Sequence, residues 1–361
     1  MPDQPEIVIP IDSIPSEAKS ASDLTALTNS FEFWPAWTIH IPMVLMGIYQ
    51  GFRLGNLNFF PAVNPGMTNG GLFNYSKYDS LSDFPKENIP AGILSKPPHQ
   101  LDLLLTDAAQ MGIGFPFILK PDIGERGRGV RLISDPQSAK HYLKTFRNEA
   151  VILQEFISKK EEYGVFILKD PQTGEITIPS ITQKIPLQVM GNGSDSIATL
   201  VQKHPRASRY IQEIPKELMA IVPEPNRIFQ LSIKGNHCKG AVFLDRSDLI
   251  TDEVISAFAK ICHPFQHFFY GRLDVKVNSS SELGNANLVS ILEVNGANAE
   301  PIHIYSPGNS YFRSLGILSG FFSQMAQIAR FNLRSMNPKP SLAALRSSFQ
   351  SYTHLKKSTH E

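Results

Sequence analysis

Two apolar runs in the second half of the chain carry carboxylate and amide side chains where a buried strand would normally carry apolar ones. Residues 271–275 (GRLDV) contain Asp274, and residues 291–295 (ILEVN) contain Glu293 and Asn295. Because residues two apart on a strand face the same side, Glu293 and Asn295 point together, and a neighbouring strand can place Asp274 beside them. Burying three such groups amid valine, leucine and isoleucine is costly unless a cation lies between them.

These three side chains predict a magnesium site. Mg²⁺ prefers hard oxygen ligands and binds through a few carboxylates together with phosphate oxygens and water. We therefore expect Asp274, Glu293 and Asn295 to be metal ligands, for Mg²⁺ or, in its place, Mn²⁺. The alternative is a structural polar pair at a strand end. One carboxylate alone would favour that alternative, whereas the three together favour the metal.

A lysine followed by a glycine-rich loop predicts a phosphate site. Lys120 ends the apolar run 115–120 (FPFILK), and the loop 124–130 (GERGRGV) follows Pro121 closely. Glycines let backbone N–H groups close around phosphate oxygens, and a lysine beside them offsets phosphate charge. By itself the loop is as consistent with a surface hairpin, and it is not a Walker A loop, because no Gly-Lys-Ser/Thr follows. The loop residues expected at the nucleotide are Gly127, Arg128 and Gly129.

A strand between these two regions predicts the nucleoside site. At the end of the run 153–157 (LQEFI), the backbone of Glu155, Phe156 and Ile157 can pair with the edge of an adenine ring. Glu162 lies seven residues beyond Glu155 and can hold the ribose hydroxyls. Taken alone, Glu162 would be interpreted as a solvated surface residue.

The order of these pieces resembles the ATP-grasp superfamily, and within it the D-alanine–D-alanine ligase group of carboxylate–amine ligases. The likeness covers roughly residues 75–300. The run 115–121 is similar to the strand that carries the phosphate lysine, 151–168 to the adenine hinge, and 271–277 and 291–295 to the two metal strands. One departure follows Asn295: those ligases continue with a small residue and Pro-Gly, whereas this chain reads GANAEP, so a D-alanine acceptor is not expected.

The resemblance implies roles for single residues. It makes Lys120 and Lys77 the two phosphate lysines, and it places Arg272 at the reacting phosphoryl group, so that Arg272 and Lys120 are the expected catalytic residues. It also implies an ATP-grasp fold, with two α+β lobes gripping ATP and a short, atypical N-terminal region. The implied activity is ATP-dependent joining of a carboxylate to an amine through an acyl phosphate, with ADP and phosphate as products. Two alternatives stay open: a kinase-like phosphotransferase, and a non-catalytic nucleotide-binding module.

The pattern along the chain favours mixed α+β lobes over one parallel sheet, because hairpins join many of the strands. Helices are expected at 42–54, 101–111, 135–146, 196–203, 251–267, 317–334 and 341–349. Strands are expected at 58–63, 115–120, 130–133, 151–156, 163–168, 175–178, 228–234, 240–244, 273–277 and 289–294. The expected organisation is a mobile tail (1–30), an N-terminal substrate-side region (31–80), a small lobe (81–150), a larger lobe with hinge and metal site (151–335), and a C-terminal helix and tail (336–361).

Bulk properties limit the partners. A formal net charge of +1 provides no basic field for nucleic acid. Only two cysteines argue against a disulfide framework and fit a reducing cytoplasm. The apolar stretch 39–49 is too short to span a bilayer, which takes about 20 residues. We therefore expect small, amino-acid-like carboxylate and amine substrates, no nucleic acid, no transmembrane segment, and a homodimer as one option.

An aromatic cluster lies near the start of the chain. Its members are Phe31, Phe33, Trp34 and Trp37. Packing into the core is the expected role of all four, with binding to a lipid or to a partner chain left open.

Overall fold

The computed structural model describes residues 31–124, 127–232, 235 and 237–358. The predicted N-terminal tail therefore lies outside the described residues, as do Glu125 and Arg126 of the glycine-rich loop. The helices are α1 (Trp37–Leu54), α2 (Lys77–Ser82), α3 (Leu101–Gln110), α4 (Pro136–Thr145), α5 (Ile197–Lys203), α6 (Asp252–Cys262), α7 (Tyr311–Asn332) and α8 (Leu342–Ser358). The strands are β1 (Gly92–Ser95), β2 (Phe117–Pro121), β3 (Arg131–Ile133), β4 (Val151–Glu155), β5 (Glu161–Lys169), β6 (Ile176–Ile185), β7 (Gln188–Met190), β8 (Ile228–Gln230), β9 (Val242–Asp245), β10 (Tyr270–Val277) and β11 (Ser290–Asn295).

The smaller lobe is a four-stranded antiparallel sheet in the order β1-β4-β2-β3, with α3 and α4 packed on it. Leu104 and Ala108 of α3 meet Phe117 of β2 and Tyr142 of α4 in one hydrophobic cluster. Asp135 caps α4 by accepting a hydrogen bond from the Ser138 N–H at 2.8 Å. Lys120 is thereby carried on a well-packed strand.

The larger lobe is a five-stranded antiparallel sheet in the order β11-β10-β5-β6-β9. Alternating residues of its strands enter opposite layers, as strand geometry requires. Val165 of β5 packs with Phe258 of α6 on one face, and Phe166 packs with Phe321 of α7 on the other. A separate two-stranded sheet, β7-β8, shares a hydrophobic cluster with α5.

Helix α1 packs along α7 and is longer than predicted, because it starts five residues before Pro42. A proline within a helix lacks the N–H that would bond to the carbonyl four residues earlier. That carbonyl, on Thr38, instead accepts a hydrogen bond from the Tyr311 hydroxyl of α7 at 2.8 Å. The contact with α7 therefore supplies the donor that Pro42 lacks.

Four predictions about local structure are wrong. The run 58–63 is no strand: a short 3₁₀ turn, Phe60–Ala62, forms around Pro61, which cannot donate to a sheet. The strand expected over 228–234 ends at Gln230 as β8, which pairs with β7. The helix expected to reach residue 267 ends at Cys262, because Pro264 restricts the residue before it.

The fourth error concerns the aromatic cluster. Phe31 is buried, but Trp34 and Trp37 are 48% and 62% exposed. In the part of the chain that the structure describes, none of the helices combines the length and apolarity needed to cross a membrane.

Candidate active site

A cavity of about 1170 Å³ opens between the two sheets and the N-terminal segment 31–40. The smaller lobe contributes Lys120 and part of the glycine-rich loop, and the larger lobe contributes residues of β5, β6, β10 and β11. The volume exceeds the roughly 300–1,000 Å³ of a pocket for one drug-sized ligand. The cavity therefore has room for a nucleotide and a second small molecule.

The antiparallel register of β10 and β11 assembles the predicted metal cluster. Asp274 lies opposite Glu293, and Arg272 lies opposite Asn295. The Asn295 amide donates to Asp274 Oδ2 at 3.2 Å. The register shifts immediately after Asp274, and such bulges re-aim side chains beside functional sites. Asp274, Glu293 and Asn295 thus come together as the alternation of the two strands predicts.

Two cations hold the Asp274 carboxylate. Arg272 donates from Nε to Oδ1 at 2.7 Å and from Nη2 to Oδ2 at 3.3 Å. Lys184 Nζ lies 2.9 Å from Oδ2. Burial acts to raise the pKa of Asp274, but Arg272 and Lys184 outweigh burial and hold that pKa well below its usual range. Asp274 is therefore an anion at neutral pH.

Lys184 is a site residue that the sequence argument missed. Its ammonium also lies 3.0 Å from Glu162 Oε1, so it joins the predicted ribose residue to the predicted metal ligand. Burial acts to lower the pKa of Lys184, but Asp274 and Glu162 outweigh it and raise that pKa. Glu162 and Lys184 are direct cross-strand partners in the β5-β6 hairpin, but the predicted strands 163–168 and 175–178 reached neither residue.

The two predicted phosphate lysines meet at the metal cluster from the other side. Lys77 Nζ lies 3.4 Å from Glu293 Oε1 and donates to the carbonyl of Gly124. Lys120 Nζ donates to the carbonyl of Leu292 at 3.3 Å. Burial lowers the pKa of Lys120 to about 8, against the opposing effect of Glu293. Both ammonium groups are therefore close to where a bound polyphosphate would meet the carboxylates.

Helix α2 places Lys77 by its first turn. Ser76 caps the helix and donates to Asp122 Oδ1 at 2.9 Å, and the Lys77 N–H donates to the Asp122 carbonyl at 3.2 Å. Asp122 follows directly on β2, which carries Lys120. One buried aspartate thus fixes both lysine-bearing elements.

The described residues of the glycine-rich loop divide into two groups. Gly124 and Gly127 line the cavity. Arg128 instead forms a forked pair with Glu149, at 2.8 and 3.1 Å. Gly129 has a φ of +71°, and a Cβ there would lie 2.8 Å from Phe146. The structure therefore brings Gly127 to the cavity and engages Arg128 and Gly129 in the smaller lobe.

The predicted hinge forms one wall of the cavity. The Glu155 N–H donates to the Ala91 carbonyl at 2.8 Å, which ties the hinge to the strand β1 region. Phe156 and Ile157 line the cavity. Lys276, a second missed residue, donates to the Ile157 carbonyl at 3.1 Å and lies 5.6 Å from the centre of the Phe156 ring. It was identifiable from sequence spacing, since positions 272, 274 and 276 share one face of β10.

The far half of the cavity is lined by aromatic side chains and was not predicted. Phe31 lies 5.8 Å from Tyr305, which stacks on His237 at 5.1 Å. Tyr305 donates to the Glu300 carboxylate at 3.1 Å, and Arg272 donates to the Glu300 carbonyl at 2.9 Å. A carboxylate and an aromatic wall thus lie directly beside the guanidinium of the metal cluster.

The segment after Asn295 is held in place by the turn at Gly70 and Gly71. The N–H of Ala297 donates to the Gly70 carbonyl at 2.9 Å. Gly71 has a φ of +75°, and a Cβ there would lie 2.7 Å from the Cα of Gly296. Only glycine allows this approach.

The donor set fits Mg²⁺ in combination with phosphate. Among the described residues, no group of three or more His, Cys, Asp or Glu side chains is arranged around a metal position. The cluster offers two carboxylates and the amide of Asn295, whose nitrogen donates to Asp274 and whose oxygen is a ligand type that Mg²⁺ takes. Mg²⁺ commonly takes one or two carboxylates and completes its shell with substrate phosphates and water. The metal ligands remain a prediction from the sequence that this geometry supports.

Comparison with known proteins agrees with the resemblance stated above. Residues 84–176 match the RimK-like ATP-grasp domain. Over 215 residues the chain is 24% identical to the glutathione biosynthesis bifunctional protein GshAB of Desulfotalea psychrophila, covering 53% of this chain and 27% of that protein. The chain therefore spans about a quarter of the length of that relative.

Solved structures are similar at low identity. D-alanine–D-alanine ligase from Bacillus anthracis is 14% identical with a TM-score of 0.39, covering 76% of this chain and 69% of that chain. A bifunctional glutathione synthetase from Pasteurella multocida is 15% identical with a TM-score of 0.35, covering 65% and 34%. The domain match contains Lys120 and the hinge glutamates, and the resemblance to ATP-grasp ligases and the α+β, ATP-grasp fold are confirmed.

Proposed function

We propose that this chain is an ATP-dependent ligase that joins a carboxylate to an amine through a C–N bond, with ADP and phosphate as the other products. One observation carries the proposal: Asp274 and Glu293 face each other across paired strands, ringed by Lys77, Lys120 and Arg272. Two carboxylates among so many cations suit a metal–polyphosphate complex. The RimK-like domain match next to this cluster supports ATP as the source of that polyphosphate.

ATP would lie along the wall from the hinge to the metal cluster. The backbone of Phe156 and Ile157 would meet the adenine edge, and Glu162 would hold the ribose. Lys77 and Lys120 would bind the phosphates, with Gly127 closing over them. In this arrangement residues 81–150 form the small lobe and residues 151–335 the larger lobe.

The three predicted ligands would hold Mg²⁺, or Mn²⁺ in its place. Asp274, Glu293 and Asn295 supply the oxygens that such an ion requires. When bound, the ion offsets the negative charge of the β- and γ-phosphates.

The reaction would run in two steps. A substrate carboxylate oxygen attacks the γ-phosphorus, the bond from that phosphorus to the β–γ bridging oxygen breaks, and ADP leaves. The amine nitrogen then attacks the carbonyl carbon of the acyl phosphate, the C–O bond to phosphate breaks, and the amine proton passes to solvent. Lys120 offsets charge on the transferred group, and Arg272 stabilises the negative charge that develops in both steps.

The far half of the cavity suits small, amino-acid-like substrates. Glu300 lies beside Arg272 and could receive an ammonium group, while Arg272 orients a carboxylate. We place the reaction in the cytoplasm, with no nucleic-acid partner. The alternative phosphotransferase would use the same lysines and ligands but would stop after the first step.

The test is product analysis with magnesium and ATP over a panel of amino acids and other carboxylates, each with and without amines. A ligase releases ADP and phosphate in equal amounts. It also forms an amide whose mass is 18 Da less than the summed mass of the two substrates, because one water is lost. Asp274→Ala should abolish this turnover, while Asp102→Ala, on the exposed face of α3, should not. Full activity of Asp274→Ala would refute the assignment, and ADP with a stable phosphoester would indicate a kinase.

A further inference from the structure

Helix α1 presents a continuous apolar face to the outside of the molecule. Its large exposed apolar side chains are Trp37, Ile41, Val44, Leu45, Ile48, Tyr49 and Phe52. The least exposed of them, Ile48, is 43% exposed, and the most exposed, Phe52, is 72% exposed. Trp34, just before the helix, is also 48% exposed, and its ring lies 5.3 Å from that of Tyr311 of α7. In an ordinary surface helix these positions would be polar.

The opposite side of α1 already has a partner. Ile39 belongs to a buried cluster with Leu318 of α7, and a Cβ at Gly47 would lie 3.5 Å from the Phe322 ring. At about 100° per residue, the exposed set spans an arc of about 140°, on the far side of the helix from α7. A small shift of α7 therefore could not bury the exposed face of α1.

The exposed apolar area of this face is larger than the largest apolar patch of a typical monomer. Side chains of this size and exposure present on the order of 700 Å², whereas the largest apolar patch on a monomer is roughly 300–600 Å². Contiguous patches beyond that range mark a surface that contacts another protein or a membrane.

The charge around the face favours a lipid surface. Helix α1 contains no aspartate or glutamate, and Arg53 lies in its last turn. Its C-terminal end is tied to the start of α8, because Asn56 and Asn58 donate to the carbonyls of Pro340 and Ser341 at 2.9 and 2.8 Å. Residues 342–353 of α8 contain one arginine, Arg346, and no acidic residue. Helix α1 itself therefore carries no negative charge that would oppose anionic headgroups.

The width and composition of the face agree with that choice. A second copy packing helix against helix would cover only a narrow seam, as in a coiled coil, and would leave part of a 140° arc (about four-tenths of the circumference) exposed. Tryptophan and tyrosine, found here at both ends of the face, are enriched where an apolar layer meets water. We propose that α1 lies in the plane of an anionic lipid surface and docks the chain there through this face.

The docked helix adjoins the active-site cavity without forming its catalytic part. Thr38 and His40, on the first turn of α1, line the cavity, and His40 Nε2 lies 3.7 Å from Glu300 Oε1. Docking through Phe52 and Val44 would therefore bring the substrate half of the cavity close to the membrane surface. The docking itself does not depend on the ligase activity.

Tryptophan fluorescence can report docking without an added label. The chain contains only two tryptophans, Trp37 on this face and Trp34 just before the helix, and both are exposed. Adding vesicles of phosphatidylcholine with a quarter of phosphatidylglycerol to the full-length protein should shift tryptophan emission to the blue. Vesicles with brominated acyl chains should quench it. Co-sedimentation should show binding at least tenfold tighter than to vesicles of phosphatidylcholine alone.

A double variant, Leu45→Glu with Phe52→Glu, should lose at least tenfold in vesicle affinity. The matched control is Leu103→Glu on α3, a side chain that is 54% exposed and lies in the smaller lobe. Its affinity should equal that of the unmodified protein. Circular dichroism should show all three proteins folded.

Several results would overturn the proposal. Absence of vesicle binding by the full-length protein would do so directly. A dimer in analytical ultracentrifugation that the double variant dissociates, without vesicle binding, would assign the face to a second copy. Vesicle binding that appears only after removal of residues 1–30 would assign the face to that segment. None of these outcomes depends on whether ADP is formed, so failure here is separate from failure of the proposed function.

Discussion

Replacing Lys120 with methionine should stabilise the protein and weaken nucleotide binding at the same time. Lys120 is 6% exposed, and burial lowers its pKa from 10.5 to about 8. That difference corresponds to about 3 kcal/mol by which the fold disfavours the charged lysine. Methionine removes this cost and also removes the hydrogen bond to Leu292, worth about 1 kcal/mol. The net expectation at pH 7 is an unfolding free energy higher by about 2 kcal/mol.

The lowered pKa of Lys120 also determines how the free energy of unfolding changes with pH. Because the pKa of Lys120 is lower in the folded state, the unfolded chain binds more protons between pH 8 and 10.5. The contribution of Lys120 therefore makes the protein more stable as pH rises through that window, and the advantage of Lys120→Met should shrink over the same window. Below pH 8 the advantage should be constant.

The assay is urea unfolding at pH 7 and at pH 10, together with calorimetric titration with magnesium and ATP at pH 7. Lys140→Met is the matched control, since Lys140 is exposed on α4. ATP affinity should fall about 10- to 100-fold in Lys120→Met, the loss expected for a charge-assisted phosphate contact. A Lys120→Met protein that is less stable than the unmodified one and binds ATP equally well would refute the reasoning.

Three further predictions follow from the same contacts. ATP affinity should fall as pH rises from 7 to 9, because buried Lys120 begins to lose its proton near pH 8 and phosphate binding restores that proton. Calorimetry in buffers of different ionisation enthalpy should therefore show proton uptake on ATP binding above pH 8. An ATP affinity that does not change with pH would contradict this prediction. Asp274→Asn keeps the side-chain shape but loses the charge, so turnover should drop at least about 100-fold in an ADP-release assay while the circular dichroism spectrum is unchanged. Gly71→Ala should reduce both stability and turnover, because its Cβ would lie 2.7 Å from Gly296. The control Gly55→Ala is also at positive φ but has nothing within 4 Å, so it should lower the unfolding free energy by about 1 kcal/mol and leave turnover intact. Equal effects of the two alanines in urea unfolding and ADP release would contradict the proposed role of the Gly71 contact.

The sequence was sufficient for the part of the site that lies on two neighbouring strands. Alternation along β10 and β11 indicates which residues share a face, and the polar, glycine-containing connection between the two strands made their pairing the expected arrangement. The proximity of Asp274 to Glu293 and Asn295 followed from those two facts, whereas the register that puts Asp274 opposite Glu293 is seen only in the structure. Helices α3 and α4 likewise follow local signals that need no tertiary information, namely apolar periodicity in α3 and the Asp135 cap in α4.

Other residues of the site depend on register and on distant segments. Lys184 reaches Asp274 only because β6 lies two strands away in an order that no local pattern specifies. The aromatic wall needs residues as distant in the chain as Phe31 and Tyr305. Hydrophobicity also cannot separate a buried face from an apolar face kept for another surface, and this is why Trp37 was wrongly expected in the core.

The most direct test of the central claim is the stoichiometry of the reaction with magnesium and ATP. Release of ADP and free phosphate in equal amounts, dependent on both a carboxylate and an amine and accompanied by an amide of the expected mass, is the predicted result. Absence of ATP binding by the folded protein would contradict both the proposed nucleotide site and the ligase activity that depends on it. ATP binding followed by ADP release without free phosphate, with the phosphoryl group retained on the substrate, would contradict the ligase assignment alone.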